Sequence, residues 1–354
     1  MQEKVLMKGN EALAEAAIRA GCRCFFGYPI TPQTEIAAYM AKRMPKIGGA
    51  YLQAESEVAA INMVYGAAAS GARAMTSSSS PGISLKAEGI SYLAGSDLPA
   101  VIINIVRGGP GLGGIQPAQS DYNQVTRGLA HGDFHVIAFA PNCIQEMCDL
   151  ISDAFDMADK YRMPAMILGD GMLGQMMEPV ALPEPREVSA NSKPWAANGT
   201  KGEREHNIVN SLYIEASELE TKVLDRYERY KIIEENEARH EEFMLDDAEI
   251  VIVAYGASSR ISRNAIVAAR EKGIKVGMIR PITLWPFPKK ALADKAPSAK
   301  AFLSVELSMG QMVDDIKLAI NCSKPVFLAS RTGGVIITPD EILAKLEEID
   351  GGIK

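Results

Sequence analysis

The sequence lacks any uninterrupted apolar run near the roughly 20 residues that a membrane-spanning helix requires. It opens with Met-Gln-Glu-Lys and moves directly into amphipathic sequence, without the apolar core of a signal peptide. It also lacks an excess of positive charge, because its formal net charge is −7. We therefore expect a cytoplasmic protein that binds neither membranes nor nucleic acid.

Clustered metal ligands are also missing. The cysteines are five in number and spread along the chain, at Cys22, Cys24, Cys143, Cys148 and Cys322. An odd number without a secretion signal favours reduced thiols, and an iron–sulfur centre needs a tight group of four. The four histidines add no metal-ligand pattern. The sequence thus predicts free thiols and no metal site in this chain.

What is present is a repeated alternation of short apolar strands and Ala-rich helices over residues 1–185. This pattern is typical of β–loop–α units and predicts the α/β class, with a doubly wound parallel sheet. Proline and polar residues then mark residues 186–245 as a linker, with a charged amphipathic helix predicted over 207–243. Residues 246–354 predict a second, smaller α/β domain.

Open parallel sheets bind ligands at the carboxyl ends of their strands, so the loops after the predicted strands are candidate sites. Four of these loops have distinctive sequences: Gly-Tyr-Pro-Ile-Thr-Pro (27–32), Gln-Ala-Glu-Ser-Glu (53–57), Ser-Ser-Ser-Ser-Pro-Gly (77–82) and Arg-Gly-Gly-Pro-Gly-Leu-Gly-Gly (107–114). The last loop lacks the Lys-Ser/Thr of a P-loop and the glycine spacing of a dinucleotide site. We interpret it as backbone that approaches substrate or contacts another subunit.

Together these loops resemble the pyrimidine-binding domain of the thiamine-diphosphate-dependent 2-oxoacid:ferredoxin oxidoreductases. The resemblance rests on Tyr-Pro-Ile-Thr-Pro, on Ser-Glu followed by an Ala/Gly-rich helix, and on the strand-end Arg107 with Asp121. Residues 246–354 are similar to the transketolase-C-terminal-like domain of this family. Residues 7–12 and 77–82 resemble the separate alpha-type subunit of the branched-chain (2-oxoisovalerate) enzymes. The 2-oxoglutarate enzymes have closely similar subunits.

The resemblance implies a catalytic role for Glu57. In this family a glutamate at the matching position hydrogen-bonds N1′ of the cofactor's aminopyrimidine and favours its imino tautomer. The cofactor's own amino group can then take the proton from C2 of the thiazolium. Glu55 is the rival position, and a carboxylate stabilised by a helix dipole is the alternative interpretation. Tyr28 and Pro29 are implied cofactor contacts.

Thr31 and Arg107 match family positions that bind the substrate's 2-oxoacid head. A guanidinium fork suits a carboxylate, with about 1.5–3 kcal/mol for each charge-assisted hydrogen bond. Helix capping is the alternative for Thr31, and a surface salt bridge is the alternative for Arg107. Gly-Asp-Gly at 169–171 matches the start of a thiamine-diphosphate metal motif, but the paired asparagines do not follow. The diphosphate and Mg²⁺ are therefore expected on a partner.

The implied reaction is coenzyme A-dependent oxidative decarboxylation of a 2-oxoacid to acyl-CoA and CO₂, with reduction of ferredoxin. The implied partners are a beta-type subunit with the diphosphate site and a [4Fe–4S] cluster, a gamma subunit, a small ferredoxin-like subunit with further clusters, and external ferredoxin. We expect 2-oxoisovalerate as substrate, with 2-oxoglutarate or pyruvate as alternatives. A diacid would need a second cation, and because Arg73, Arg127 and other basic residues are available, counting charges does not exclude 2-oxoglutarate. A ferredoxin-independent enzyme of the transketolase group and a non-catalytic scaffold paralogue are the other classes.

Overall fold

The computed structural model describes residues 3–189 and 192–352. Its strands are short and mostly apolar. They are β1 (Val5–Lys8), β2 (Cys24–Gly27), β3 (Ala50–Gln53), β4 (Ala74–Ser78), β5 (Ala100–Val106), β6 (Ile137–Phe139), β7 (Pro164–Asp170), β8 (Met177–Val180), β9 (His240–Phe243), β10 (Ile250–Val253), β11 (Val276–Pro281), β12 (Thr283–Trp285), β13 (Ala301–Glu306) and β14 (Val326–Ser330).

Amphipathic and Ala-rich segments form the helices between them. These are α1 (Gly9–Arg19), α2 (Thr34–Arg43), α3 (Glu57–Ala69), α4 (Ser80–Gly95), α5 (Tyr122–Thr126), α6 (Ile144–Tyr161), α7 (Gly171–Gln175), α8 (Ala216–Asn236), α9 (Gly256–Glu271), α10 (Lys289–Lys295), α11 (Met312–Ala319) and α12 (Pro339–Gly352), with a 3₁₀ turn at Met44–Ile47. Among the residues described, every helix is too short or too polar to cross a membrane.

Within the described residues, the largest sheet has seven strands in the order β12-β6-β7-β5-β4-β2-β3. All are parallel except β12, which runs antiparallel to β6. The central strand β5 is buried along its whole length, and α4 and α6 both pack on it. An apolar sequence without alternation is what such a strand requires. The predicted doubly wound parallel sheet is confirmed.

A second sheet in the described chain has five strands in the order β14-β13-β10-β11-β9, with β9 antiparallel to β11. It has an apolar core of its own, which α9 and α12 help to form. One edge strand of the large sheet comes from the second half of the chain, because β12 follows β11 in sequence and yet joins the large sheet. The sequence indicated only a turn-rich stretch over 281–288, since three prolines interrupt it.

The charged helix of the linker (residues 186–245) is shorter than predicted. The prediction of helix over 207–243 was wrong at both ends, because α8 begins at Ala216 and β9 occupies the end of the segment. Before α8, the Asn210 side chain accepts a hydrogen bond from the Leu212 backbone nitrogen (2.7 Å) and donates to the Leu212 carbonyl (2.6 Å). Such local bonds compete with helical ones, which explains the late start.

A buried glutamine joins the two sheets near the carboxyl ends of their strands. Gln119 donates to the Tyr255 carbonyl (2.8 Å) and accepts from the Leu307 backbone nitrogen (3.0 Å). Its own backbone nitrogen donates to the Leu307 carbonyl (2.9 Å). Close by, the Tyr122 hydroxyl donates to an Asp315 oxygen at 2.6 Å. These bonds fix the segment after the Gly-rich loop against the second sheet.

Candidate functional site

The four loops predicted from sequence meet at one edge of the large sheet. They follow β3, β2, β4 and β5, which are neighbouring parallel strands, so their carboxyl ends lie side by side. This is the edge at which open α/β sheets bind ligands. The helices α3 and α4 begin at the same edge, so their N-terminal turns also face the site.

Glu57 is the first residue of α3, and Ser56 caps that helix by accepting from the Ala59 backbone nitrogen (3.2 Å). The cap fixes Glu57 pointing inward, where it is only 6% exposed. Within the described part of the chain its carboxylate forms no hydrogen bond, and its oxygens are not sealed from solvent. Glu55, by contrast, is exposed. A nearly buried carboxylate with free acceptor positions favours Glu57 over its rival.

Gly82 provides the space that Glu57 occupies. A Cβ atom at this position would lie 2.8 Å from Oε1 of Glu57 and 2.1 Å from Oγ of Ser78. Only glycine therefore allows α4 to approach the carboxylate so closely. The buried hydroxyls of Ser78 and Ser79 have no hydrogen-bond partner among the described residues. The site thus has polar atoms that a bound polar ligand would satisfy.

Arg107 follows β5 and is 6% exposed. Its Nη1 donates to the Thr31 carbonyl (3.0 Å) and its Nη2 donates to the Leu112 carbonyl (2.9 Å). Its backbone nitrogen donates to Oγ of Ser80 at 3.1 Å. The guanidinium therefore joins two of the predicted loops, while Nε is buried and has no hydrogen-bond partner among residues 3–189 and 192–352. The surface salt bridge considered as an alternative is not formed in the described structure.

Thr31 does not cap the following helix. The N-cap of α2 is Gln33, without a side-chain cap bond, and Thr31 is exposed with no hydrogen bond to its hydroxyl within the described chain. The capping alternative is therefore wrong, and the hydroxyl is free to contact a ligand. Tyr28 is half-buried, and its carbonyl accepts from Nε2 of Gln33 (3.4 Å). Pro29 is exposed at the mouth of the site.

A second line of polar residues lies behind these side chains, and sequence reasoning did not single it out. Oγ of Ser77 donates to Oε1 of Gln33 (2.5 Å), and Nζ of Lys86 lies 3.4 Å from the Ser77 carbonyl. Lys86 is completely buried, and burial lowers the pKa of its ammonium to about 8, against the opposing effect of the Glu57 carboxylate. The sequence did contain one signal for this residue, a lysine on the inward face of a predicted helix. A lysine is ordinarily expected to be exposed to solvent, so the signal was not used.

Asn104 organises the start of α4 from the neighbouring strand. Its Oδ1 accepts from the Ser80 backbone nitrogen (3.1 Å), and its Nδ2 donates to Oδ2 of Asp121 (2.9 Å). Burial raises the pKa of Asp121, while its hydrogen bonds from Asn104 and Ser80 oppose that rise. The network holds Ser80, and through it Arg107, in place. Asp121 thus supports the site from behind.

Three charged residues that the sequence left open have structural partners. Asp170, in the Gly-Asp-Gly sequence, caps α7 by accepting from the backbone nitrogens of Met172 (2.9 Å) and Leu173 (3.1 Å). Arg73 is buried in ion pairs with two aspartates at 2.7 and 2.8 Å, and Arg127 pairs with Asp315 at 2.7 Å. Neither arginine is therefore a free cation for a second substrate carboxylate.

Comparison with known proteins shows the family of this chain. The family model described as "Pyruvate flavodoxin/ferredoxin oxidoreductase, thiamine diP-bdg" matches residues 15–244, and "Pyruvate:ferredoxin oxidoreductase core domain II" matches residues 248–342. Ketoisovalerate oxidoreductase subunit VorB of Methanothermobacter marburgensis is 52% identical, with 98% of each chain covered. The 2-oxoglutarate synthase subunit KorA of Methanocaldococcus jannaschii is 38% identical, over 95% of this chain and 97% of that one.

A solved structure is similar along almost the whole chain. It is the 2-oxoglutarate:ferredoxin oxidoreductase of Magnetococcus marinus with 2-oxoglutarate, coenzyme A and succinyl-CoA bound, with a TM-score of 0.84 and 25% identity. The match covers 98% of this chain and 65% of that chain. Fold and site thus define a thiamine-diphosphate-binding type of α/β protein. The chain belongs to the 2-oxoacid:ferredoxin oxidoreductase family, as an alpha-type subunit.

The residues at the sheet edge fit the aminopyrimidine of thiamine diphosphate. Glu57 presents a nearly buried carboxylate that no group of the described chain satisfies, next to the opening that Gly82 leaves. A ring nitrogen carrying a proton is the donor that such an acceptor requires. The unpartnered hydroxyls of Ser78 and Ser79 add polar groups beside it. The described residues contain no group of His, Cys, Asp or Glu side chains that could hold a metal ion for a diphosphate.

Proposed function

We propose that this chain holds the aminopyrimidine of thiamine diphosphate and the 2-oxoacid head in a branched-chain 2-oxoacid:ferredoxin oxidoreductase. The proposed reaction converts 2-oxoisovalerate and coenzyme A to acyl-CoA and CO₂, with reduction of ferredoxin. The observation that carries the proposal is the Glu57 carboxylate, almost buried at the sheet edge and without a hydrogen-bond donor from the described chain. The similarity to ketoisovalerate oxidoreductase subunits supports the substrate.

Each residue of the site has a separate task in this proposal. When bound, the cofactor supplies the carbon nucleophile that the protein itself lacks. Glu57 accepts the hydrogen bond from N1′ and so promotes the tautomer in which the amino group is basic. Arg107 provides the positive charge for the substrate carboxylate, and the free Thr31 hydroxyl donates to the same head. Tyr28 and Pro29 form the wall against which the ring lies.

The proposal divides the active site between subunits. A beta-type partner would carry the diphosphate, Mg²⁺ and a [4Fe–4S] cluster, and a gamma subunit and a small ferredoxin-like subunit would complete the cytoplasmic enzyme, which reduces external ferredoxin. Large apolar side chains around the site are exposed in this chain, which supports a contact with another subunit at this surface. They are Leu52, Val58, Leu85, Leu112 and Ile115.

The divided site predicts that this chain has no turnover by itself. Purified alone and given thiamine diphosphate, Mg²⁺, 2-oxoisovalerate, coenzyme A and ferredoxin, it should release no CO₂ above background. Addition of the partner subunits should restore turnover. Appreciable activity of the isolated chain would contradict the division, and an assembled complex that binds no thiamine diphosphate would favour a scaffold paralogue.

The similarity to ketoisovalerate oxidoreductase subunits favours a monocarboxylic substrate. A 2-oxoglutarate side chain carries a second carboxylate, yet Arg73 and Arg127 already pair with aspartates. We therefore expect kcat/KM of the reconstituted enzyme to be at least about 10-fold higher for 2-oxoisovalerate than for 2-oxoglutarate, since an unpaired buried charge costs more than about 1.4 kcal/mol. Steady-state kinetics with both acids, and with pyruvate, measure this ratio. A preference for the diacid would reverse the assignment.

A further inference from the structure

The start of α1 packs tightly against α7, next to the loop over residues 27–32. A Cβ atom at Gly9 would overlap the Leu173 carbonyl oxygen, and a Cβ at Gly174 would lie 2.6 Å from Oδ1 of Asn10. Glycine at both positions therefore lets the two backbones approach each other directly. Asn10 is completely buried at this contact.

The Asn10 side chain bonds the backbone of the loop immediately after Thr31. Its Nδ2 donates to the Pro32 carbonyl at 2.8 Å. Nε2 of Gln175, the last residue of α7, donates to the same carbonyl at 3.0 Å. A carbonyl oxygen has two lone pairs, so these two amides use its full capacity as an acceptor. Two helices that are distant in sequence thus hold one atom of the loop.

A carboxylate fixes the orientation of both amides. Glu35 accepts from Nδ2 of Asn10 at 2.9 Å and from Nε2 of Gln175 at 2.9 and 3.0 Å. Burial raises the pKa of Glu35, but the hydrogen bonds from these amides and the Lys8 ammonium (3.7 Å) outweigh it, so the pKa lies below its usual value. An ionised carboxylate only accepts hydrogen bonds, so the amide nitrogens must face it.

This orientation leaves Oδ1 of Asn10 buried without a hydrogen-bond partner among residues 3–189 and 192–352. Such an unsatisfied acceptor costs free energy, and a small apolar residue at this position would avoid the cost. Helix packing alone therefore does not explain an asparagine here. What the asparagine adds is its two donated hydrogen bonds, to Glu35 and to the Pro32 carbonyl.

The Thr31–Pro32 segment is also held from other sides. A Cβ at Gly171 would lie 3.3 Å from Cγ of Pro32, so the proline ring packs on the start of α7. The Thr31 carbonyl accepts from Nη1 of Arg107 at 3.0 Å. Both carbonyls of the segment are thus bonded, while the exposed Thr31 hydroxyl has no hydrogen bond within the described chain. The backbone is fixed and one donor is left free.

We infer that Asn10 and Gln175 are positioning residues, which act through the Pro32 carbonyl to fix the Thr31 hydroxyl where it meets the 2-oxoacid head. A segment that is ordered before the substrate arrives does not have to lose its freedom on binding. This inference rests on the proposed role of Thr31. It adds two residues that do not touch the substrate themselves.

The test measures KM for 2-oxoisovalerate and kcat in the reconstituted complex. Asn10→Ala and Gln175→Met should each raise KM by about 3- to 10-fold, because the loss is limited to what one substrate hydrogen bond contributes. The kcat should stay within about twofold, as expected for an interaction made equally in the ground state and the transition state. A KM that stays within about twofold of the unmodified value in both variants overturns the inference.

Gln145→Met is the matched control. The Gln145 amide likewise joins a helix to a distant backbone, since it donates to the Ala181 carbonyl (3.0 Å) and accepts from the Ala181 nitrogen (2.9 Å). It forms these bonds outside the four loops of the site. Its loss should therefore leave KM for the 2-oxoacid unchanged.

A double-mutant cycle separates positioning from a general loss of structure. In a Thr31→Val background, Asn10→Ala and Gln175→Met should change KM by less than about twofold, because the hydroxyl that they fix is gone. A general structural effect would instead raise KM by the same factor in both backgrounds. An increase above about twofold in the Thr31→Val background overturns the inference. If Asn10→Ala does not assemble, Gln175→Met carries the cycle, since its side chain is exposed.

The outcomes also separate this inference from the proposed function. Thr31→Val with an unmodified KM defeats the proposed role of Thr31, and the inference with it. Thr31→Val with a raised KM, together with an undiminished effect of the Asn10 and Gln175 changes, overturns the inference alone. Normal CO₂ release by Glu57→Gln defeats the proposed function as a whole. Raised KM values that converge in the Thr31→Val background support the inference and the role of Thr31 together.

Discussion

Replacement of Glu57 by glutamine should lower kcat of the reconstituted enzyme by about 10²–10⁴-fold, the range for loss of a proton-transfer group. The amide keeps the size of the side chain but carries no negative charge, so it cannot stabilise a protonated N1′. The space beside Gly82 stays filled, and the fold should be unaffected. CO₂ release under saturating cofactor and substrate measures the loss.

Glu55→Gln is the matched control, because it makes the same chemical change two residues away on an exposed side chain. It should leave kcat within about twofold, as expected for a surface position without a defined partner. Equal losses in both variants would indicate a general effect on the α3 terminus rather than a role for one carboxylate. Normal turnover in Glu57→Gln would mean that the site has been misassigned.

Arg107→Lys should lower kcat/KM for the 2-oxoacid by about 100-fold, mainly through KM. Lysine retains the charge but loses the planar fork, which binds a carboxylate through two parallel hydrogen bonds. Each lost charge-assisted bond accounts for about 1.5–3 kcal/mol. Arg107 also donates to the Thr31 and Leu112 carbonyls, so part of the loss will come from movement of these loops.

Thr31→Val distinguishes the loss of a substrate hydrogen bond from the movement of the loops. It removes the hydroxyl but keeps the carbonyl that Arg107 bonds, so the loops should stay in place. We expect about a 10-fold rise in KM, or about 1.4 kcal/mol, which is close to the lower limit for one hydrogen bond to a charged group. A KM for Arg107→Lys that equals the unmodified value would contradict substrate binding by the guanidinium, and would leave Arg107 as a residue that only joins loops.

The sheet edge could be predicted from sequence because its features are local. Strand ends carry glycine, proline and polar residues after apolar runs, and parallel strands place such ends together. The motif around Glu57 also includes its own helix cap at Ser56, which is a short-range signal. These features located the four loops without knowledge of strand order.

The supporting residues could not be found in the same way, because their partners are distant in sequence. Lys86 and Gln33 meet through Ser77, and nothing near any of the three indicates that contact. The edge strand β12 was missed for a similar reason, since its partner β6 precedes it by more than a hundred residues. Capping of α2 by Thr31 was an alternative with local support, but α2 begins three residues later, at Thr34, and its N-cap is Gln33.

The most direct test is the rate at which the C2 hydrogen of bound thiamine diphosphate exchanges with deuterium in the reconstituted complex. This measurement needs neither substrate nor ferredoxin, so it isolates what the Glu57 carboxylate does to the cofactor. We predict that Glu57→Gln slows the exchange by at least about 100-fold, while Glu55→Gln matches the unmodified enzyme. Exchange in Glu57→Gln as fast as in the unmodified enzyme would contradict the role assigned to this side chain.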